Sequence, residues 1–226
     1  MESKEAAAFE AVKLVRDGMN IGLGTGSTAS IAIKAIGDRI RLEGLQVNGV
    51  PSSEKSRILA ELHGIPLIDL RELKQLDLTI DGADEVDSAM NLIKGGGGAL
   101  VREKIVAAAS IRMIVVCDSS KRVDKLGSFP LPVAVTPFGH LVTRQRLMKF
   151  CDTVNLRTNP QNSGSPFVTD DGLFIYDMHC GKIADPPDLE MKLKGIIGVV
   201  EVGLFINIAN RVVYGFEDGS TETHPS

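Results

Sequence analysis

The 226-residue chain has no Trp, only two Tyr and eight Phe, and three cysteines. So few aromatics argue against a base-stacking platform for single-stranded nucleic acid. Cys117, Cys151 and Cys180 form no CxxC pair and are odd in number, which speaks against a disulfide framework and against a zinc site and favours reduced thiols. There is no excess of positive charge, since 25 Lys+Arg face 29 Asp+Glu for a net of -4. No global basic field therefore exists to attract nucleic acid or an anionic membrane, and an anionic ligand must be held by a local site. No apolar run approaches the roughly 20 residues of a membrane span. The N-terminal Met1-Glu2-Ser3-Lys4-Glu5 lacks a signal peptide's apolar core, so the expected location is cytoplasmic. What is present is ordinary for a globular protein: 43% hydrophobic and 24% charged residues. At about 150 residues per domain, the length suits one large domain or two small ones.

Helical and apolar segments alternate along the first half. Helices are expected over 4–17, Thr28–Ile40, Glu54–Leu62 and Ala99–Ala109. Strands are expected at Ile21–Leu23, Val47–Val50, Pro66–Ile68, Leu76–Ile80 and Ile111–Cys117. Short apolar runs separated by helices indicate a parallel sheet covered on both faces, a Rossmann-like α/β domain. The pattern changes at Phe129-Pro130-Leu131-Pro132. From there a strand (133–135), helix (139–150), strand (153–156), hairpin (167–169 with 173–176), helix (187–194) and strand (199–205) follow. That β-α-β-β-α-β order matches a smaller ferredoxin-like α+β domain. The expected division is 1–130 and 131–205, with about 206–226 either rejoining the first domain or ending the second.

Ligands of open α/β sheets bind beyond the carboxyl ends of the strands. The turns there are Gly24–Thr28, Pro51–Glu54, Asp81–Glu85 and Asp118–Lys121, with Lys94–Gly98 between the last two. The first turn is rich in N–H and hydroxyl donors at a helix start, which suits a phosphate. Thr28 as a plain cap explains it equally well. It is neither a dinucleotide fingerprint nor a Walker A loop. The Asp81–Asp87 stretch has the wrong spacing for an EF-hand. Its carboxylates can accept sugar hydroxyls, although a solvated acidic turn capped by Asp84 is the plainer reading. Lys94 and four glycines opening into a helix can form an oxyanion nest. Glu103 lies opposite a stripe of Val101 and Ile105, so periodicity alone makes it solvated. A ligand covering that face, beside the small Ala99 and Ala107, would reverse this. The four histidines show no ligand spacing and are expected at ordinary surface or loop positions.

The stretches 22–30 (GLGTGSTAS), 81–87 (DGADEVD), 94–104 (KGGGGALVREK), 118–133, 167–172 and 198–205 together resemble the type A ribose-5-phosphate isomerase family. They run in order over nearly the whole chain. One departure is Ile197, where the family pattern has proline before Gly198. The resemblance implies metal-independent and cofactor-free interconversion of ribose 5-phosphate and ribulose 5-phosphate through an enediol(ate), a step of the non-oxidative pentose phosphate pathway. It implies that Glu103 is the base, that Asp81 assists ring opening or proton exchange, and that Asp84 binds hydroxyls. Lys94 with the Gly95, Gly96 and Gly97 amides would stabilise the oxyanion. Thr25, Gly26, Ser27 and Thr28 would belong to the substrate-binding loop, Gly82 and Ala83 would line the site beside Asp81, and Lys121 and Lys4 would complete the pocket. It also implies a homodimer or homotetramer, a pentose phosphate as the small-molecule partner, and no nucleic acid or membrane partner. The rivals are a related sugar-phosphate isomerase or lactonase, which would share mainly the GTGST segment, and a non-catalytic phosphosugar sensor. The sensor reading lacks room for a DNA-binding segment in the short N-terminus.

Overall fold

The computed structural model describes residues 2–225. In chain order its elements are α1 (Glu2–Val12), β1 (Asn20–Leu23), α2 (Ser27–Glu43), β2 (Asn48–Pro51), α3 (Glu54–Leu62), β3 (Leu78–Asp81), β4 (Glu85–Val86) and β5 (Leu92–Ile93). Then come α4 (Leu100–Ala108), β6 (Met113–Asp118), β7 (Leu131–Val135), α5 (His140–Leu147), β8 (Thr153–Leu156), β9 (Thr158–Asn159) and β10 (Asn162–Pro166). The chain closes with β11 (Phe174–His179), α6 (Pro186–Lys194), β12 (Val199–Val202), β13 (Leu204–Phe205), β14 (Arg211–Gly215) and β15 (Thr221–His224). Two compact units form. One takes the chain up to Ala83, Arg102–Lys121 and everything from Asn207; the other takes Asp84–Val101 and Arg122–Ile206. The segments 84–101 and 122–130 thus pack with the second unit, although the sequence division was expected near 130.

The first unit is a six-stranded sheet in the order β15-β14-β6-β3-β1-β2. All neighbours are parallel except β14 and β15. The terminal segment therefore rejoins this sheet, β14 running parallel to β6. Side chains alternate across a strand, and Ile21 and Leu23 of β1 and Leu78 and Ile80 of β3 fall in one core cluster with Ala8 and Ala11 of α1, Ala32 and Ile36 of α2, and Ala60 of α3. Val50 and Leu76 pack with Val106 of α4. The expected parallel α/β architecture is what the chain forms. Pro66–Ile68 is not a strand: only Leu67 bridges Gly49. Proline has no N–H to continue a ladder.

The second unit carries a four-stranded antiparallel sheet in the order β12-β7-β11-β8. Counting these four strands in chain order gives 4-1-3-2, the ferredoxin-like arrangement expected from the element order. The expected 167–176 hairpin does not form. Thr169 and Leu173 instead close a local turn through the Thr169 hydroxyl and backbone, and β11 pairs with β7 and β8. The 199–205 strand is two strands in different sheets. Gly203 donates to Pro132 and accepts from Lys94, and β13 joins β5 and β4. His140 is no plain surface histidine: its Nδ1 lies 2.7 Å from the Tyr176 hydroxyl. Ile197, the departure from the family pattern, is an 81% exposed turn residue. Among the described residues no helix is long and apolar enough to cross a membrane.

The end of α1 shows how local sequence and packing divide the work. A helix leaves its last carbonyls unpaired and favours a cation there. The last turn of α1 contains no basic residue. Arg39 of α2 supplies the charge, its Nη1 donating to the carbonyls of Val12 and Val15 at 2.9 and 2.8 Å. Arg39→Met should therefore lower stability by about 1.5–3 kcal/mol, the usual worth of hydrogen bonds from a charged donor. Glu43→Gln, which removes only the exposed partner of Arg39, should cost less than about 1 kcal/mol. Urea unfolding of the two variants checks both figures.

Candidate active site

In the first unit the polar turns gather at the carboxyl ends of β1, β2, β3 and β6. Asp81, the last residue of β3, is 0% exposed. A buried carboxylate needs donors, and the β1–α2 turn provides them. The amides of Thr25 and Gly82 donate to its Oδ1 at 3.0 and 2.7 Å. That approach dictates glycine at position 24, where any Cβ would occupy the space of the Asp81 carboxylate. The Thr25 hydroxyl lies 2.9 Å from Ser52 Oγ and 2.8 Å from Ser53 Oγ, both buried at the end of β2.

The start of α2 is open. Gly26, at φ 110°, precedes the helix and offers no side-chain cap. Thr28 lies inside the helix and is buried, so the simple-cap reading does not hold. Lys4 Nζ donates to Ser27 Oγ at 3.0 Å. Asp118 ends β6 and accepts from the Ser120 hydroxyl and amide. Burial pushes its pKa up, but the Ser120 hydroxyl, then the charge of Lys121, the Ser120 amide and the charge of Lys4 bring it below the ordinary carboxylate value. Lys4, Ser27, Asp118 and Lys121 therefore form one polar cluster.

Glu103 is 3% exposed and its neighbour Lys104 is 8% exposed, whereas Ile105 is 53% exposed. The stripe built on Val101 and Ile105 is thus the wrong one. The buried positions of α4 are Leu100, Glu103, Lys104 and Ala107, a regular i, i+3, i+4, i+7 set, together with Val106. Hydrophobicity alone could not find this stripe, because two of its members are charged.

In the second unit Asp84 is not a helix cap. Its amide donates to Ile93, and its Oδ2 accepts from the Gly96 amide at 2.8 Å. Glu85, which unlike the half-buried Asp84 is fully buried, accepts from the Gly127 and Phe129 amides, both at 2.6 Å. Asp87 accepts from the Ala89 and Asn91 amides and from the Asn91 side chain. The acidic stretch is therefore not a solvated turn. Its side chains organise backbone, and among the described residues no group of three His, Cys, Asp or Glu is placed to hold a metal. Lys94 is 2% exposed, its Nζ 5.4 Å from the Phe205 ring centroid. The glycine run is an ordered loop rather than a linker. Gly95 and Gly98 hold φ of 104° and 85°, which side chains resist, and a Cβ on Gly98 would strike the Phe167 ring. Sequence reasoning passed over Ser52, Ser53 and Asp118 as site members, although all three stand at strand ends. Arg157, just after β8, pairs with Asp177 of β11, a contact that leaves no mark on the sequence.

Residues 48–219 match the family model described as Ribose 5-phosphate isomerase A (phosphoriboisomerase A). A curated relative named Ribose-5-phosphate isomerase A, from Rhodopseudomonas palustris (strain HaA2), is 54% identical over 96% of this chain and 94% of its own. The solved structure of ribose 5-phosphate isomerase A from Methanocaldococcus jannaschii superposes with a TM-score of 0.92 at 41% identity, covering 97% of this chain and 96% of its own. A D-ribose-5-phosphate isomerase solved in complex with phospho-erythronic acid superposes at 0.93 with 38% identity, covering 97% and 96%.

The Asp118 cluster gives a pH test. A carboxylate whose folded-state pKa lies below its unfolded value adds stability above the unfolded pKa, 3.8 here, and loses it as pH falls through the folded one. Asp118→Asn should therefore unfold at lower urea than the wild type at pH 7. The gap should close as the pH falls below the carboxylate range. Urea midpoints measured from pH 7 to pH 3 check this.

Proposed function

The chain belongs to the ribose 5-phosphate isomerase A family, and we propose from that premise that it interconverts D-ribose 5-phosphate and D-ribulose 5-phosphate as an aldose–ketose isomerase. The proton moves between C2 and C1 through an enediol(ate), without a metal or cofactor, as a step of the non-oxidative pentose phosphate pathway. One observation carries this reading: α4 buries a carboxylate, Glu103, where the apolar pattern of the helix would leave it in water. Burying an ionised group costs several kcal/mol and persists where something compensates. A base that must deprotonate carbon gains from a setting closed to water, because it protects the intermediate.

The roles follow from the chemistry. With the sugar in its open-chain form, Glu103 takes the C2 proton, the electron pair moves into a C1–C2 double bond, and the carbonyl oxygen at C1 becomes negative. Return of the proton to C1 and passage of the O2 proton to O1 give the ketose, with C2 now the carbonyl and C1 a CH2OH group. The Lys94 charge and the Gly95–Gly97 amides meet the developing oxyanion, the kind of preorganised dipole that contributes most to such reactions. Asp81 exchanges a proton with a sugar hydroxyl during ring opening, and Asp84 accepts from hydroxyls. The uncapped start of α2, at Gly26–Thr28, with Thr25 and the ammonium groups of Lys4 and Lys121, holds the phosphate and neighbouring hydroxyls. Gly82 and Ala83 line the wall beside Asp81. The expected location is cytoplasmic, from the cysteine pattern and the N-terminal sequence, and the assembly implied by the resemblance is a homodimer or homotetramer.

Glu103→Gln keeps the shape of the side chain and removes the base. Turnover of ribose 5-phosphate should fall by about 10³ or more, consistent with the usual worth of general-base catalysis. Binding of phospho-erythronic acid, whose carboxylate resembles the enediolate oxygens, should persist. Turnover near that of the wild type would remove Glu103 as the base. Wild-type activity should also survive a strong chelator; a loss that magnesium or zinc restores would replace this mechanism with a metal-assisted one.

A further inference from the structure

The donors of an oxyanion nest stabilise charge only if their directions are fixed before the charge appears. Glycine peptides are the least able to hold a direction by themselves, so the Gly95–Gly98 loop needs an external anchor. One stands in the second unit. Arg157 follows β8, and its own backbone is tied on both sides: its N–H donates to Ile175 and its carbonyl accepts from Phe167, each at 2.8 Å. Its guanidinium forms a fork on Asp177, with Nε to Oδ2 at 2.9 Å and Nη2 to Oδ1 at 2.5 Å. The pair is largely buried, at 15% and 20% side-chain exposure. The remaining arm, Nη1, donates to the carbonyls of Gly95 at 2.8 Å and Gly96 at 3.2 Å. The Phe167 ring lies against the guanidinium, 5.9 Å from centroid to Cζ.

A trans peptide is planar and points its C=O and N–H in opposite directions. Holding a carbonyl therefore aims the amide of the next residue. In the Gly95–Gly96 peptide both ends are engaged, the carbonyl by Arg157 and the amide by Asp84. In the Gly96–Gly97 peptide only the carbonyl is engaged. The Gly97 amide has no hydrogen-bond partner among the described residues and points away from Arg157.

We propose that Arg157, locked by Asp177, is a positioning residue that presets the Gly96–Gly97 peptide so that the Gly97 amide is ready to donate to the enediolate oxygen. This rests on the isomerase reading. A planar guanidinium is suited to the task, because one rigid fork satisfies a carboxylate and two carbonyls at once. A lysine ammonium cannot reproduce that geometry. Arg157 touches no reacting atom and acts through the loop.

The test is steady-state kinetics of ribose 5-phosphate isomerisation by Arg157→Ala, Arg157→Lys and Asp177→Asn. Losing one oxyanion donor costs about 10²–10³ in kcat, and a misaligned donor loses part of that. The expected fall in kcat is about 30- to 100-fold for Arg157→Ala and about 10-fold for Arg157→Lys, with KM changed less than about threefold. Asp177→Asn should show a smaller fall of the same kind. Millimolar guanidinium should restore part of the Arg157→Ala kcat, and ammonium at equal ionic strength should not. If Arg157→Ala fails to fold, Arg157→Lys decides. Variants with kcat within twofold of the wild type overturn the proposal and leave the isomerase reading intact. So does a fall in which KM rises in step and guanidinium restores nothing, which is the mark of a purely structural residue. A wild-type protein without isomerase activity overturns the isomerase reading, and this proposal with it.

Discussion

A carboxylate taken out of water must be given donors, and in this chain the donors are mostly backbone amides. Asp81 takes those of Thr25 and Gly82, and Glu85 takes those of Gly127 and Phe129, while the half-buried Asp84 takes that of Gly96. Amide donors cannot move without moving the chain. Each acid therefore fixes a loop, and the loops that carry the proposed chemistry are the ones these acids fix. The asymmetry in hydrogen-bond energetics makes the arrangement tight: a satisfied buried acid gains little, but an unsatisfied one costs several kcal/mol.

That constraint explains the sequence around the acids better than any general preference for flexible loops. Gly24 is small because Asp81 occupies the room a side chain would need. The glycine run after Lys94 looks like a linker by composition, yet the Gly95 and Gly96 carbonyls are held by Arg157, the Gly96 amide by Asp84 and the Gly98 amide by the Gly95 carbonyl. Its glycines supply φ values and close approach; its order comes from outside the run. The same logic appears away from the site at the end of α1, where Arg39 supplies the cation that the local sequence omits.

The sequence was legible wherever a segment is decided by its own apolar pattern. The parallel sheet, α3 over Glu54–Leu62 and the β7-α5-β8 and β11-α6-β12 halves of the smaller sheet follow the expected runs within a few residues. It was illegible where a distant partner decides. Residues 167–169 look like a strand, but Thr169 closes a turn instead. The 199–205 run splits because Gly203 is shared between Pro132 and Lys94. The strand ends located the polar turns, while the helical wheel put Glu103 in water although it is buried. Its error was to let apolar residues alone define the buried face, when Leu100, Glu103, Lys104 and Ala107 define it. The acidic stretch 81–87 was ambiguous for a similar reason: composition cannot say whether an acid faces water, a ligand or a backbone amide.

Proton abstraction next to a carbonyl sets two demands that pull against each other. The base must be poorly solvated, which favours burial. The oxyanion that follows must be well solvated, which favours polarity. A metal ion meets the second demand with one strong charge; a protein without one must do so with many weak dipoles held still. Dipoles held still cost conformational freedom, and glycine peptides give up the most. An anchor such as Arg157 on Asp177 reduces that cost at the moment of reaction, because the loop is ordered when the protein folds rather than when the substrate arrives. The cost then falls on folding stability, where it is offset by packing across the whole unit, and the chemical step receives donors whose directions are already set.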